Sequence, residues 1–513
     1  MDEFVARHAS DITGVLHCLD RVIFHGHLPI DYPESMNNFR WAQGVRLEGW
    51  ARFVQGHSES LRIATEAFAK AAGRPCVYEK SYVRKEEWAH EVARRDGITE
   101  GLVAVLRTTE KCRSFHVRRC PKSGNPRLVA ASRRCLHLYF YFIDRQLGWV
   151  HVRLQTWFPF LIQVGINGHE ILSKLMDRAG QPYQRIENGF VELGNPGAAQ
   201  RLADQMLDWE WGHHLDRIAR MVNPLLRTLL RPMKYEWVID QCEYSTDILF
   251  RDARVLQPLF QQLVRHASLC FAAEDILGFF GRPLHGLFRG EIVTEQRPYQ
   301  WGHRVKHRVG RNWIKSYDKA GSILRVETVI NRPQDFRVRR TMCRRDGRRV
   351  WGLFPLRKAV AFLRRIVEIQ RRANRHYLRA LAAVENPAAA YGQMKSMGQP
   401  AVREGKRQRA LNPLRQGDRD LMLAVLRCEH HLQGFRNEHI RAHLQVIAPK
   451  NPAALKRQSA RVRRQLLILR AHGYIRRSGG SRRYRVTREG CAVMSASLLY
   501  CRQDLPAHLM SAA

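Results

Sequence analysis

The sequence predicts an α+β protein, with mixed units at 1–230 and 231–385, a linker at 386–417 and a smaller module at 418–500. Three observations predict it. Through residue 385 the apolar residues switch between the period of two of strands and the 3.6-residue period of helices. The next stretch, "NPAAAYGQMKSMGQPAVREGKRQRALNP", holds neither period and is rich in Pro, Gly, Lys and Arg. Three helical patterns and a glycine-turned hairpin pattern follow it. A chain of 513 residues also exceeds one ordinary domain.

In order, residues 11–25 alternate as a strand, 35–72 read as helical, and "RKEEWAHEVARRDG" is a short amphipathic helix stopped by Gly97. Strand patterns follow at "GLVAVLRT", "SFHVRR", "RLVAAS", "LHLYFYFID" and "GWVHVRLQTWF". A helix is entered through Asn167-Gly168. In the second unit "YEWVIDQCEYSTDILF" is a strand or strand pair and "ARVLQPLFQQLVRHASLCF" a helix. Strands at "EIVTEQ", "HRVKHRV", "NWIKSYD", "ILRVETVI" and "RRVWGLF" then lead to a basic helix over about 356–384. With one gap the two units align as a distant duplication. Asp144-Arg145 then falls on Asp318-Lys319, and Arg153-x-Gln155-Thr156 on Arg325-x-Glu327-Thr328. The aromatic runs "YFYF" and "WFPF" read as core.

Composition narrows function. The chain is 45% hydrophobic and 26% charged, enough for a real core. Its 86 Lys and Arg against 47 Asp and Glu leave a net charge of +39, spread along the chain. That points to a polyanionic partner, DNA ahead of RNA. No apolar stretch reaches the ~20 residues of a membrane span, the acidic N-terminus has no secretory apolar core, and the eleven cysteines form no C-x-x-C pair. A cytoplasmic protein with reduced thiols and no membrane partner is expected. Walker, G-x-S-x-G and H-E-x-x-H patterns are absent from the sequence.

The closing module reads as helix ("DRDLMLAVLRCEHHL", Asp418 as N-cap), helix ("RNEHIRAHL"), helix ("NPAALKRQSARVRRQLLILRAHG", with Leu455, Val462, Leu466 and Leu469 on one face), then a hairpin turned at Gly479-Gly480. That is the order of a winged helix-turn-helix. "LRAHGYIRRSGGSRRYRVTREG" resembles the end of MarR-type winged-helix DNA-binding domains. Helix-turn-helix geometry assigns Lys456, Arg457, Gln458 and Arg461 to the groove, and Arg476, Arg477, Arg482 and Arg483 to phosphate.

The stretch "NWIKSYDKAGSILRVETVIN" reads as a hairpin with the three-residue loop Lys319-Ala320-Gly321. Alternation then places Trp313, Lys315, Tyr317, Arg325 and Glu327 on one solvated face, and Ile314, Ser316, Leu324 and Val326 on the buried one. The "Y-D-K", glycine turn and "L-R-x-E" resemble the core of rolling-circle replication initiators of phages and plasmids. That resemblance implies Tyr317 as nucleophile, Glu327 as ligand to a divalent metal (Mg or Mn), and Lys319 and Arg325 as phosphate ligands. With Lys315, the same residues also suit a non-catalytic nucleic-acid platform. His303 and His307, roughly 13 Å apart along a strand at ~3.3 Å per residue, cannot share one ion. Glu243 and Asp247 have the same spacing.

The leading expectation is a nucleic-acid-binding protein of mobile-element or replication type, taking DNA, structured RNA or both. The alternatives are a metal-dependent tyrosine nickase, an RNA-guided DNA-targeting factor and a ligand-sensing regulator.

Overall fold

The computed structural model describes residues 2–80, 82–119, 121, 124–269, 271, 273–282, 290–344, 346–382, 395–426, 434–444, 451–477, 483–499 and 501. The chain is α+β and divides into two compact units, each built from separated stretches. The first unit takes Thr13–Leu249 and Glu327–Arg371; the second takes Met1–Ile12, Phe250–Val326 and Arg372–Ala513. The break expected near residue 230 is therefore not where the chain divides. The strand that follows it hydrogen-bonds into the N-terminal sheet, which holds it in the first unit.

In chain order the first unit contains β1 (Ile12–His27), α1 (Trp50–Ala71), β2 (Cys76–Tyr78), α2 (Lys85–Arg95), β3 (Gly101–Arg119), β4 (Pro126–Asp144), β5 (Gly148–Gln155), β6 (Ile162–Asn167), α3 (Gly168–Arg178), the small hairpin β7 (Tyr183–Ile186) with β8 (Gly189–Leu193), and β9 (Glu236–Phe250). Its strand order is β9-β1-β6-β5-β4-β3-β2. From β1 through β6, β5, β4 and β3 each pairing is antiparallel, and β2 joins β3 in parallel.

The two pairs of strand patterns between 101 and 144 are one long hairpin, β3 with β4, because the polar residues interrupting them find partners across the sheet and on α2. Glu110 accepts the Tyr139 hydroxyl at 2.9 Å and pairs with Arg153 at 3.0 Å and Lys85 at 3.3 Å. Helix α1 covers the sheet with Phe68 against Phe140 and Phe142, and Phe158 packs on Trp50 and Phe53. Ala89 and Val92 of α2 pack against Val103, Ala104, Tyr141 and Trp149.

The second unit contains α4 (Ala253–Leu269), β10 (Ile292–Tyr299), β11 (Gly302–Val309), β12 (Asn312–Lys319) and the first half of β13 (Ile323–Ile330). Its β10, β11 and β12 form an antiparallel meander. From Glu327 onward β13 belongs to the first unit, where it lies beside β9. The hairpin β14 (Arg337–Cys343) with β15 (Arg349–Pro355) and the first half of α5 (Leu363–Leu381) also belong there. In that unit the Gln370 amide of α5 donates to the carbonyls of Cys242 and Thr328, at 2.7 and 2.9 Å.

The C-terminal part of the second unit contains the hairpin β16 (Ala401–Arg403) with β17 (Lys406–Gln408), α6 (Gln416–Val425), α7 (Asn437–Leu444), α8 (Pro452–Ala471), β18 (Ile475–Arg477), β19 (Tyr484–Val486) and α9 (Arg488–Leu499). Phe435, just before α7, exchanges both backbone hydrogen bonds with Tyr484 at 2.9 and 2.8 Å, so it lines up beside the terminal hairpin. Asn451 caps α8 by accepting from the Ala453 amide at 2.9 Å, with Pro452 in the first turn.

Three expectations are corrected here. From residue 395 the supposed linker is structured: its hairpin forms, and Met397 and Leu411 are buried in one core with Leu421, Val462, Leu466 and Leu469. Asp418 is not an N-cap, since α6 starts at Gln416; it is a buried anchor accepting from Arg409 at 2.7 Å and the Asn412 amide at 3.0 Å. Leu455 is 40% exposed, because the first turn of α8 extends beyond that core. The turn at Gly479-Gly480 lies outside the described residues.

The core geometry makes Met397 structural. Met397→Ala is expected to destabilise the C-terminal part by about 2–5 kcal/mol, in the range of buried Met truncations. A C-terminal fragment beginning at Lys395 should melt cooperatively at higher temperature than one beginning at Asp418. Circular-dichroism melts that coincide for the two fragments would refute this packing.

Candidate functional site

In the first unit, three neighbouring strands and one helix bring acidic residues together. By alternation β9 sends Glu243, Ser245 and Asp247 to one side. β1 supplies Asp20, and Glu327 arrives on β13, beside β9. One ligand oxygen from each of Asp20, Glu243 and Glu327 lies within 4.8 Å of the others, and all three side chains are buried. The Asn188 amide donates to Asp20 at 3.0 Å, and the Gln241 amide donates to Glu243.

His169 stands fully buried between two of these acids. Its Nδ1 is 3.6 Å from Asp20 and its Nε2 is 3.5 Å from Asp247. The sequence Asn-Gly-His explains how it gets there. Asn167 caps α3 by accepting the His169 amide at 2.8 Å. Gly168 lets the helix start directly on β1: a Cβ at that position would stand 2.1 Å from the carbonyl oxygen of Leu19, next to Asp20.

Carboxylates this close raise one another's energy unless a cation or proton offsets them. The donor set is oxygen only, which suits a hard divalent ion such as Mg or Mn rather than zinc. Ligand oxygens around an octahedral Mg ion with bonds of about 2.0–2.1 Å lie roughly 3–4 Å apart. The separation here fits such an ion with slight contraction. Asp247 lies on the far side of His169 from Asp20, so Glu243 and Asp247 are not both in the trio.

Of the hairpin residues, Glu327 enters this centre. Lys315, Tyr317, Lys319 and Arg325 belong to the second unit. Tyr317 is 5% exposed; its ring lies edge-on to Tyr299 at 4.9 Å, with the Lys315 ammonium 5.8 Å above it. Lys319 is buried, and Arg325 is the largest fully buried side chain described. The expected solvated face is therefore absent at β13. All eight of its residues are buried, because both sides of the strand are covered. The loop is Ala320-Gly321-Ser322, with Ala320 and Gly321 both left-handed (φ 57° and 81°) and Lys319 still in the strand.

A basic face exists one strand further out. The registers align Arg297, Arg304 and Tyr317 in one row, Glu295, Lys306 and Lys315 in the next, and Val293, Arg308 and Trp313 in the third, on one side of the meander. Lys306 stacks over Trp313 at 4.3 Å, and Arg304 over Tyr299 at 5.5 Å. Burial lowers the Lys306 pKa, with Arg304, Lys315 and Arg308 adding to the effect and Glu295 opposing it. On the opposite side His307 is buried and its pKa falls to about 3 by desolvation, while His303 is exposed.

In the C-terminal part, Lys456, Arg457 and Arg461 are exposed on α8, as are Arg463 and Arg464, which the sequence reading passed over. Gln458 is a correction: it is half-buried with its side-chain oxygen enclosed, because it lies on the side of α8 that turns inward. Arg476 and Arg477 are exposed on β18; Arg476 stands 3.9 Å from Glu274, and Arg485 3.5 Å from the same carboxylate. Arg483 is half-buried, and Arg482 lies outside the described residues.

Sequence reading missed Asp20, His169 and Asp318. Asp20 had a signal, a lone acid in the apolar run "HCLDRVIF". Asp318 is 1% exposed, and neither carboxylate oxygen has a hydrogen-bond partner among the described residues. Burial raises its pKa from 3.8 to about 6; the Gly321 amide opposes the rise but falls short of hydrogen-bond geometry.

No family model, no curated protein and no solved structure matches this chain.

The Asp318 shift has a thermodynamic sign. Its folded pKa lies above its unfolded one, so its favourable contribution is full below pH 3.8 and is lost as pH rises through about 6. Asp318→Asn should stabilise the protein at pH 7–8 by up to about 3 kcal/mol, the equivalent of the displaced pKa, and leave it unchanged near pH 4. Urea melts at the two pH values check this. Equal effects at both would contradict it.

Proposed function

We propose that this is a nucleic-acid-binding protein whose C-terminal residues form a winged-helix module that docks on duplex DNA. The observation that carries the reading is the geometry of α8. It packs inward through Val462, Leu466 and Leu469 while Lys456, Arg457, Arg461, Arg463 and Arg464 stand exposed, with no acid in the helix. A helix of this kind, following a shorter one and followed by a hairpin aligned with a preceding strand residue, suits a major groove. The basic hairpin suits the flanking phosphates. The net charge of +39 supports the same partner, since each neutralised phosphate releases counterions.

A second reading is favoured by the trio Asp20, Glu243 and Glu327: metal-dependent cleavage of a phosphodiester. Such an ion, when bound, offsets phosphate charge and lowers the pKa of its water. The chain's own residues would hold it by three carboxylate oxygens. His169, whose Nε2 hydrogen-bonds the Ser245 hydroxyl at 3.4 Å, would stand within ion-pair reach of both Asp20 and Asp247.

For the leading reading, Arg457→Ala with Arg461→Ala should weaken duplex binding about tenfold or more, and should flatten the dependence of affinity on salt by about two phosphate contacts. Fluorescence anisotropy at several salt concentrations measures both. Unchanged affinity and slope would remove α8 from the interface.

For the second reading, the protein should bind one tight Mn ion, seen as loss of the free-ion signal in electron paramagnetic resonance. Asp20→Asn, Glu243→Gln and Glu327→Gln should each abolish that binding. Retained Mn binding in all three variants, or none in the parent protein, would reject the metal centre.

A further inference from the structure

In the second unit a cleft of about 580 Å³ lies between α4 and the β10–β12 meander, within the usual range of small-molecule sites. Its lining includes Phe260 and Gln261 from α4, Gln296 from β10, Trp301 and His303 from β11 and the turn before it, and Asp318. We propose that this cleft is a base-binding pocket selective for guanine, presented as a nucleotide or as an unpaired residue of a nucleic-acid strand.

The argument starts from Asp318. Both of its oxygens are buried in the cleft wall without a hydrogen-bond partner among the described residues. A buried acceptor left unsatisfied is destabilising, and a carboxylate is best satisfied by two N–H donors side by side. Guanine's Watson–Crick edge offers them in its N1–H and 2-amino groups. Adenine has one amino group beside a bare ring nitrogen, and cytosine likewise. Uracil has a single N–H. The rest of the lining suits a base as well. Trp301, 53% exposed at the mouth, and Phe260 offer flat apolar surfaces for stacking. Gln261 can donate and accept along a base edge, and Gln296, whose oxygen accepts from the Ser268 hydroxyl at 3.0 Å, presents its amide N–H. Arg265, exposed at the rim, suits the attached phosphate.

This inference rests on the nucleic-acid reading but is tested apart from it, with mononucleotides. The full chain is titrated at pH 8 with GMP, IMP, AMP, CMP and UMP by calorimetry. GMP should bind saturably. IMP, which lacks the 2-amino donor, should bind about tenfold more weakly or worse, as one unsatisfied acceptor implies. AMP, CMP and UMP should be weaker still. Asp318→Asn should lose guanine selectivity, and Trp301→Ala should weaken every nucleotide alike. Arg457→Ala with Arg461→Ala should leave GMP binding intact, so loss of duplex binding and loss of base binding are separable. Three results would overturn the proposal: no saturable GMP binding, full GMP selectivity in Asp318→Asn, or tighter binding of arginine amide than of GMP. The last would assign the pocket to a guanidinium instead.

Discussion

The constraint on which the rest depends is the burial of charge within the sheets. Asp20, Glu243, Asp247, Asp318, Lys319, Arg325 and Glu327 are all buried. A charge removed from water is costly unless it is paired, hydrogen-bonded, protonated or held by an ion. A chain that merely needed to fold would place apolar residues at these buried positions. In the first unit the acids converge from β1, β9 and β13, and the helix start at Asn167-Gly168 is shaped to seat His169 among them. In the second unit Asp318 lines a cleft, and burial raises its pKa.

The charge nearer solvent is arranged on different terms. In the meander, lysine and arginine lie over Tyr299, Trp313 and Tyr317, which holds the side chains flat against the sheet by cation–π attraction. On α8 the basic residues project from a helix whose inner side is fixed by apolar packing. The same overall excess of positive charge thus becomes one flat aromatic-rich face and one projecting ridge. The rigid elements beneath, not the charge count, give each its shape.

Much of the architecture was legible from local pattern. The α+β class, the strand alternation in 11–25, the helix entered at Asn167-Gly168, and the helix–helix–helix–hairpin order of the C-terminal part follow from periodicity, caps and glycine turns, which act over a few residues. The buried aromatic runs at Phe140 and Phe158 were legible as core for the same reason. The interruptions at 109–113 and 132–134 were not. "TEKCR" and "SRR" look like strand breaks until each strand supplies the other's partners in the β3–β4 hairpin.

What the sequence by itself determined is which positions alternate, which segments can be helical, and how much positive charge the surface must carry. Only the tertiary structure decided that Asp20, Glu243 and Glu327 meet, that His169 stands between Asp20 and Asp247, and that both faces of β13 are covered. Alternation sorts side chains relative to their own strand and is silent about which strand lies alongside and what packs above. The burial of Arg325 and the placement of Glu327 are properties of neighbours, and neighbours are chosen by the packing of the whole chain.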